Sequence, residues 1–197
     1  MTGMLRNFAI GALALALAAC GQGGAQNDDW PDYDGPDTTH FSPLAEINTG
    51  NAGQLGLAWH HDIDVGGQSL TAPVAVDGVL YYAAGDSHVF ALDAATGKQL
   101  WDFDSHTRER AGVTLRGAWG SRGIAYANGK VFTGTLDGRL IAIDAKSGKE
   151  VWSAQTTTPG DQRYITGAPW VYGDKVVIGH GGADYAPVRG YVTAYDQ

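Results

Sequence analysis

Cysteine is nearly missing from this sequence: Cys20 is the one thiol in 197 residues, so no disulfide framework can form and that thiol needs another use. Basic side chains are also few. With 13 Lys and Arg against 21 Asp and Glu the net charge is −8, and no basic cluster stands ready for phosphates, which excludes a nucleic-acid partner. No apolar run reaches bilayer length at the start of the chain, where Phe8 to Ala19 behind Arg6 fits an export-signal core and falls short of a span. Histidines are present, but His60, His61, His88, His106 and His180 are scattered without the short spacing of a zinc site, so they read as surface or core residues.

Glycine is over-supplied at 29 residues, with 6 Trp and 9 Tyr, a composition that favours many short strands joined by turns over long helices. The class is read as all-β. Residues 1–19 are read as a lipoprotein signal peptide, because Leu17-Ala18-Ala19-Cys20 resembles a bacterial lipobox. That resemblance implies lipidation at Cys20 with several acyl chains, enough for stable membrane anchoring; the alternative is an ordinary signal with a chance cysteine. Gly21, where an aspartate would imply retention in the inner membrane, favours the outer membrane, so the expected location is periplasmic and lipid-anchored. Residues 20–39 are read as the acylated cysteine and its tether. Gly21-Gln22-Gly23-Gly24 gives flexibility, and the acidic, turn-rich stretch from Asn27 to Thr39 is expected to cross the surface without regular structure.

From residue 40 to 197 the sequence repeats. Asp77-Gly78-Val79-Leu80-Tyr81-Tyr82 leads to Leu92-Asp93-Ala94-Ala95-Thr96-Gly97-Lys98-Gln99-Leu100-Trp101. Asn128-Gly129-Lys130-Val131-Phe132 leads to Ile143-Asp144-Ala145-Lys146-Ser147-Gly148-Lys149-Glu150-Val151-Trp152, and Trp101 and Trp152 stand 51 residues apart. A third copy starts at Gly173-Asp174 and reaches Tyr195-Asp196, so the repeats end near 101, near 152 and beyond 197. Periods of about 40–50 residues with short strands and Asp-Gly, Asn-Gly or Thr-Gly turns mark the blades of a β-propeller, each a four-stranded sheet. Alternate residues such as Val79, Tyr81, Val131 and Thr133 then face a neighbouring sheet. The repeat aspartate is expected to bond turn amides and the repeat tryptophan to fill the gap between blades.

These repeats resemble the tryptophan-docking repeat of quinoprotein propellers. The same repeat occurs in a non-enzymatic lipoprotein scaffold, the propeller subunit of the outer-membrane barrel assembly machine, which is the alternative reading. Four further motifs resemble pyrroloquinoline quinone (PQQ) dependent alcohol dehydrogenases. Phe41-Ser42-Pro43-Leu44-Ala45-Glu46-Ile47-Asn48, followed by Ala58-Trp59, is similar to the segment that begins their propeller. Ser121-Arg122-Gly123-Ile124-Ala125 resembles the motif whose arginine reaches the quinone, Ile165-Thr166-Gly167-Ala168-Pro169 the one whose threonine bonds a cofactor carboxylate. Gly179-His180-Gly181-Gly182-Ala183-Asp184 with Val188-Arg189-Gly190-Tyr191 resembles the loop against the PQQ edge that supplies an acidic calcium ligand.

The resemblance implies a quinoprotein-type propeller of which the first two to three of eight blades are present. It also implies two cofactors, PQQ at Arg122, Thr166, Gly181, Gly182 and Ala183, and calcium at Asp184. In that family the arginine polarises a carbonyl oxygen and neutralises charge on the tricarboxylate cofactor, a role the resemblance implies for Arg122. For the loop the chemistry can also be argued from the residues: paired glycines let amides approach an anion, and a hard cation takes a carboxylate oxygen. The bland reading of that loop is a hairpin whose Asp184 pairs with Arg189. The implied activity is oxidation of an alcohol or sugar hydroxyl, with electrons leaving to cytochrome c or ubiquinone. The family's catalytic base is expected beyond Gln197, so the 197 residues alone are expected to be inactive. Three departures stand out: Asp184 replaces the usual glutamate, Leu70 stands where a glutamate is common, and Arg116-Gly117-Ala118-Trp119 replaces a pair of adjacent cysteines, with Trp119 a candidate for stacking.

Overall fold

The computed structural model describes residues 28–35, 38–69, 71–111, 120–158, 160, 162–184 and 186–197. The export signal, Cys20 with its glycine tether, Leu70 and the 116–119 stretch lie outside the described residues. Eleven strands form three antiparallel sheets. The first sheet is β1 (Val74–Val76), β2 (Val79–Ala83), β3 (Val89–Asp93) and β4 (Gln99–Phe103), paired in chain order. The second repeats it with β5 (Ala125–Ala127), β6 (Lys130–Gly134), β7 (Arg139–Asp144) and β8 (Glu150–Gln155). The third holds β9 (Trp170–Tyr172), β10 (Lys175–Gly179) and β11 (Val192–Asp196), ordered β11-β10-β9.

The expected four-stranded blade therefore appears twice, and the third copy has three strands. Asp77-Gly78 and Asn128-Gly129 close the β1–β2 and β5–β6 hairpins with both central residues at positive φ, the turn whose twist matches the flanking strands. The two full sheets share an irregularity at corresponding positions, between Ala91 and Leu92 and between Ala142 and Ile143. Short helical elements interrupt the strands among the described residues: α1 (Thr107–Ala111) in the connection from β4 to β5, and single 3-10 turns at Ala52–Gln54 and Gly85–Ser87. Among the described residues no helix is long and apolar enough to cross a membrane.

The sheets stack face to face, so their middle strands are apolar on both faces. Along β6, Val131 packs with Tyr81, Val89 and Ala91 of the first sheet, whereas Phe132 packs with Ile165, Val176 and Ile178 on the other side. Alternation in β2 works the same way: Tyr81 faces the second sheet, and Tyr82 joins Phe90, Leu92 and Trp59 on the first sheet's outer face.

Turn and tryptophan together join one blade to the next. Asp144 Oδ1 accepts from the amide (2.7 Å) and hydroxyl (2.6 Å) of Ser147, and Asp93 does the same with Thr96 at 2.8 and 2.7 Å. The fixed turn presents Gly148, and the Trp101 ring of the preceding blade lies so close that a Cβ there would meet its Cγ at 2.8 Å. Only hydrogen fits between them. The indole Nε1 donates to the Ala145 carbonyl at 2.9 Å, and that carbonyl also takes the Tyr81 hydroxyl at 3.3 Å. Burial is the first cause pushing the Tyr81 phenol up to about 12, so it stays a donor. Trp59 repeats the dock one blade earlier: its Nε1 donates to Ala94 at 3.0 Å and its ring covers Gly97. Of the lead-in segment, Trp59 makes this dock, whereas Phe41, Leu44 and Ile47 are exposed.

The acidic stretch before residue 40 differs from the unstructured crossing expected of it. Trp30 pairs with Ala75 through two backbone hydrogen bonds of 2.6 and 2.9 Å, Pro31 accepts from the Tyr126 amide at 2.8 Å, and Asp29 takes the Asp77 amide at 2.9 Å. The backbone of β1, a three-residue edge strand, has free hydrogen-bonding groups that Trp30 satisfies.

Removing the docked ring tests this arrangement. Trp101→Ala is expected to cost about 3 kcal/mol, a fall of roughly 6–12 °C in melting temperature. The turn aspartates test it by pH. The hydroxyls of Thr96 and Ser147, followed by the backbone amides, hold the Asp93 and Asp144 carboxyls below their ordinary value. A depressed carboxyl contributes stability above its unfolded value of about 3.9 and loses it as pH falls through the lower folded value. The double variant Asp93→Asn, Asp144→Asn should therefore lose less melting temperature than the parent between pH ~5 and ~2, measured by circular dichroism.

Candidate cofactor site

The antiparallel order sends every blade's first strand off from the same end. β1, β5 and β9 lie side by side, and their lead-in residues are joined in a parallel row. The Ala72 amide donates to the Arg122 carbonyl at 3.2 Å, and the Arg122 amide donates to the Thr166 carbonyl at 2.7 Å. Arg122 is thus the middle stitch across three sheets. Ser121, buried beside it, fixes the local turn: its Oγ donates to the Gly123 carbonyl at 2.9 Å and accepts from the Gly123 amide at 3.3 Å. Gly123 itself sits against Ala168, where a Cβ would come within 3.0 Å.

Two of the sequence-predicted residues meet directly. The exposed Arg122 guanidinium donates from Nη1 to Oγ1 of the buried Thr166 at 2.7 Å. A guanidinium has five N–H donors, so this bond fixes its direction and leaves the fork able to take a carboxylate.

The glycine loop attaches two residues earlier on the Thr166 segment. Tyr164 and Gly181 form an antiparallel bridge, with the Gly181 amide on the Tyr164 carbonyl at 2.9 Å. Gly182 has φ +121, and a Cβ there would meet the Gln162 carbonyl oxygen at 2.6 Å, so both conformation and space require glycine. Residues 164–166 are therefore a shared backbone carrying Arg122 through Thr166 and the loop through Tyr164. Asp184 is exposed, and its Oδ1 accepts from the Tyr164 hydroxyl at 3.3 Å. Among the described residues no three His, Cys, Asp or Glu side chains gather around a metal position, at Asp184 or elsewhere. Ala183 is exposed in the same turn.

Three residues to which the sequence assigns no role of their own support this wall. Tyr164 lies under Gly181 and reaches Asp184, while His180 and Tyr191 close the neck of the loop. His180 had been grouped with the surface or core histidines, and its one sequence signal is its place next to Gly181-Gly182.

The donor set fits the group that the sequence resemblance implies. A tricarboxylate quinone asks for a cation and hydroxyl or amide donors; Arg122 and Thr166 offer the first two in kind, while the Gly181 amide is already taken by the Tyr164 carbonyl. A calcium ion asks for six to eight oxygens, of which the Asp184 carboxylate is one type.

Comparison with known proteins bears on the same residues. The family model for the glucose/ethanol/alcohol dehydrogenase β-propeller domain, a PQQ domain, matches residues 30–197. The 1-butanol dehydrogenase (cytochrome c) of Thauera butanivorans is 48% identical over 159 residues, 80% of this chain and 23% of that protein. A quinohemoprotein alcohol dehydrogenase of Pseudomonas putida is 49% identical over 156 residues, 79% of this chain and 22% of that protein. In structure, the quinohemoprotein alcohol dehydrogenase of Comamonas testosteroni superposes with a TM-score of 0.79 at 42% identity, covering 87% of this chain and 26% of that one. This chain thus spans about a quarter of the length of the relatives it matches. With a match that starts at the Trp30 bridge and runs through all three sheets, the chain belongs to the family of PQQ-type alcohol dehydrogenase β-propeller domains.

Proposed function

We propose that this chain forms one wall of the cofactor site in a periplasmic PQQ-dependent dehydrogenase that oxidises an alcohol or sugar hydroxyl. The observation that carries the reading is the Arg122–Thr166 bond, placed on the same short backbone segment as the Gly181–Asp184 loop. When bound, PQQ supplies a two-electron acceptor that no amino-acid side chain provides.

The chain's own residues bind and orient. Arg122 would pair its fork with a cofactor carboxylate, and its cationic charge would offset negative charge on the bound group. Thr166 aims that fork through its buried hydroxyl. Gly181 and Gly182 let the loop pack closely on Tyr164 and on the Gln162 carbonyl, and that packing would hold Ala183 and Asp184 beside the cofactor edge. Asp184, held at Oδ1 by Tyr164, keeps Oδ2 for a calcium ion; the shorter side chain makes one-oxygen ligation the expected mode. Lipidation of Cys20 would tether the domain to the outer membrane, and electrons would pass to a cytochrome c or to ubiquinone. The Thauera relative carries cytochrome c in its name.

The decisive experiment is a titration of the purified chain with PQQ in the presence of calcium, followed by quenching of tryptophan fluorescence. Saturable binding is expected, weakened about tenfold or more in Arg122→Gln, since a charge-assisted hydrogen bond contributes roughly 1.5–3 kcal/mol. Equal binding by parent and variant would sink the assignment of Arg122. Absence of binding by the parent would sink the reading of these residues as a wall that binds PQQ by itself. Alcohol turnover is not expected from these residues alone, which correspond to about a quarter of the relatives' length.

A further inference from the structure

His180 immediately precedes the glycine pair, and both of its ring nitrogens are engaged. Nδ1 lies 3.0 Å from the Tyr191 carbonyl oxygen and Nε2 2.6 Å from Thr156 Oγ1. A carbonyl oxygen only accepts, so Nδ1 is the donor. The two partners sit in different places. Tyr191 is at the far end of the same loop, next to β11, so the Nδ1 bond draws the two ends of the loop together. Thr156 follows β8 of the second sheet, so the Nε2 bond ties the loop to a different blade.

Neighbouring contacts brace both anchors. The His180 and Tyr191 rings lie 4.4 Å apart, and the Tyr191 hydroxyl donates to the Thr156 carbonyl at 2.6 Å. Thr156 is itself buried, and its amide donates to the Gly138 carbonyl at 2.9 Å. Arg163 covers the Tyr191 ring at 5.2 Å and donates to the Arg189 carbonyl at 2.9 Å.

We propose that His180 is the positioning residue of the glycine loop, and that its bond to Thr156 sets where Gly181–Asp184 stand relative to the Arg122–Thr166 wall. The loop's other backbone anchor, Tyr164, belongs to the segment that leads into the third sheet. The Thr156 bond joins the loop to the second sheet, which carries Arg122. The consequence for cofactor binding rests on the proposed function, but the latch itself is a property of the chain and is read without any cofactor.

The test separates the two nitrogens. An asparagine amide reaches the place of Nδ1, and a glutamine amide that of Nε2. Hydrogen exchange is measured at the Gly181, Gly182 and Ala186 amides and at those of β6 and β7, in the parent and in His180→Ala, His180→Asn, His180→Gln and Thr156→Val. Melting temperatures confirm that each variant is folded. His180→Ala, His180→Asn and Thr156→Val should each speed loop exchange about tenfold while β6 and β7 hold, and His180→Gln should return it to within about threefold of the parent. The double variant His180→Ala, Thr156→Val should exchange no faster than either single one. PQQ affinity in the same set should follow the same order. Unchanged loop exchange in His180→Ala, equal acceleration throughout β6 and β7, or rescue by asparagine as complete as by glutamine would overturn the proposal. If the parent binds no PQQ but shows this exchange pattern, the latch stands and the cofactor reading falls. If the parent binds PQQ and loop exchange is flat across the variants, the latch falls alone.

Discussion

The face of an indole ring laid on a glycine of the next blade's turn is the contact on which the rest of this structure depends. Trp59 over Gly97 and Trp101 over Gly148 repeat it, each with its N–H on a carbonyl of the turn it covers. The contact demands a turn that presents glycine rigidly, which the Asp–Thr or Asp–Ser bonds supply. It also fixes how far apart neighbouring sheets lie, and at that separation the side chains on both faces of the middle strands are buried. Binding chemistry follows from the packing, because sheets held in this register bring their first strands together at one end.

That end gathers a particular kind of cation. Arg108, Arg110, Arg122, Arg139, Arg163 and Arg189 all lie in or beside the connections on the side where the first strands begin. Lys98, Lys130, Lys146, Lys149 and Lys175 lie in or beside the hairpin turns at the opposite end. Guanidinium groups form fixed, planar hydrogen-bond forks, whereas ammonium groups remain solvated on flexible stems. Several of the arginines are spent on structure. Arg139 and Arg110 share the buried Asp137 carboxylate at 2.7 and 3.3 Å, and Arg108 pairs with Asp86 at 2.6 Å. Arg122 differs in being aimed by a neutral hydroxyl, which leaves its charge for something else.

The repeat was legible in the sequence because its determinants are local. An aspartate three residues before a hydroxyl, a glycine after it and a tryptophan four residues further on define one turn and one contact. The two full blades and the incomplete third followed from that spacing. Arg122 and Thr166 were legible as motifs, and their meeting depends on a backbone row between strands 44 residues apart. Trp30 was hidden because an isolated bridge leaves no periodicity behind. His180 and Tyr164 were hidden for a related reason: a histidine or tyrosine declares its role only through partners at 24 and 20 residues' distance, Thr156 and Asp184.

On the proposed function, the joined strand starts present Arg122, Thr166 and the glycine loop as a single cofactor-binding wall. Nuclear magnetic resonance of the chain, with arginine side chains and backbone amides labelled and PQQ added stepwise, tests it most directly. Shifts should appear together at the Arg122 guanidinium, the Thr166 amide and the Gly181 and Gly182 amides, with the lysine-bearing turns at Gly97 and Gly148 unmoved. Shifts centred on those turns, or movement of the loop without Arg122, would contradict it.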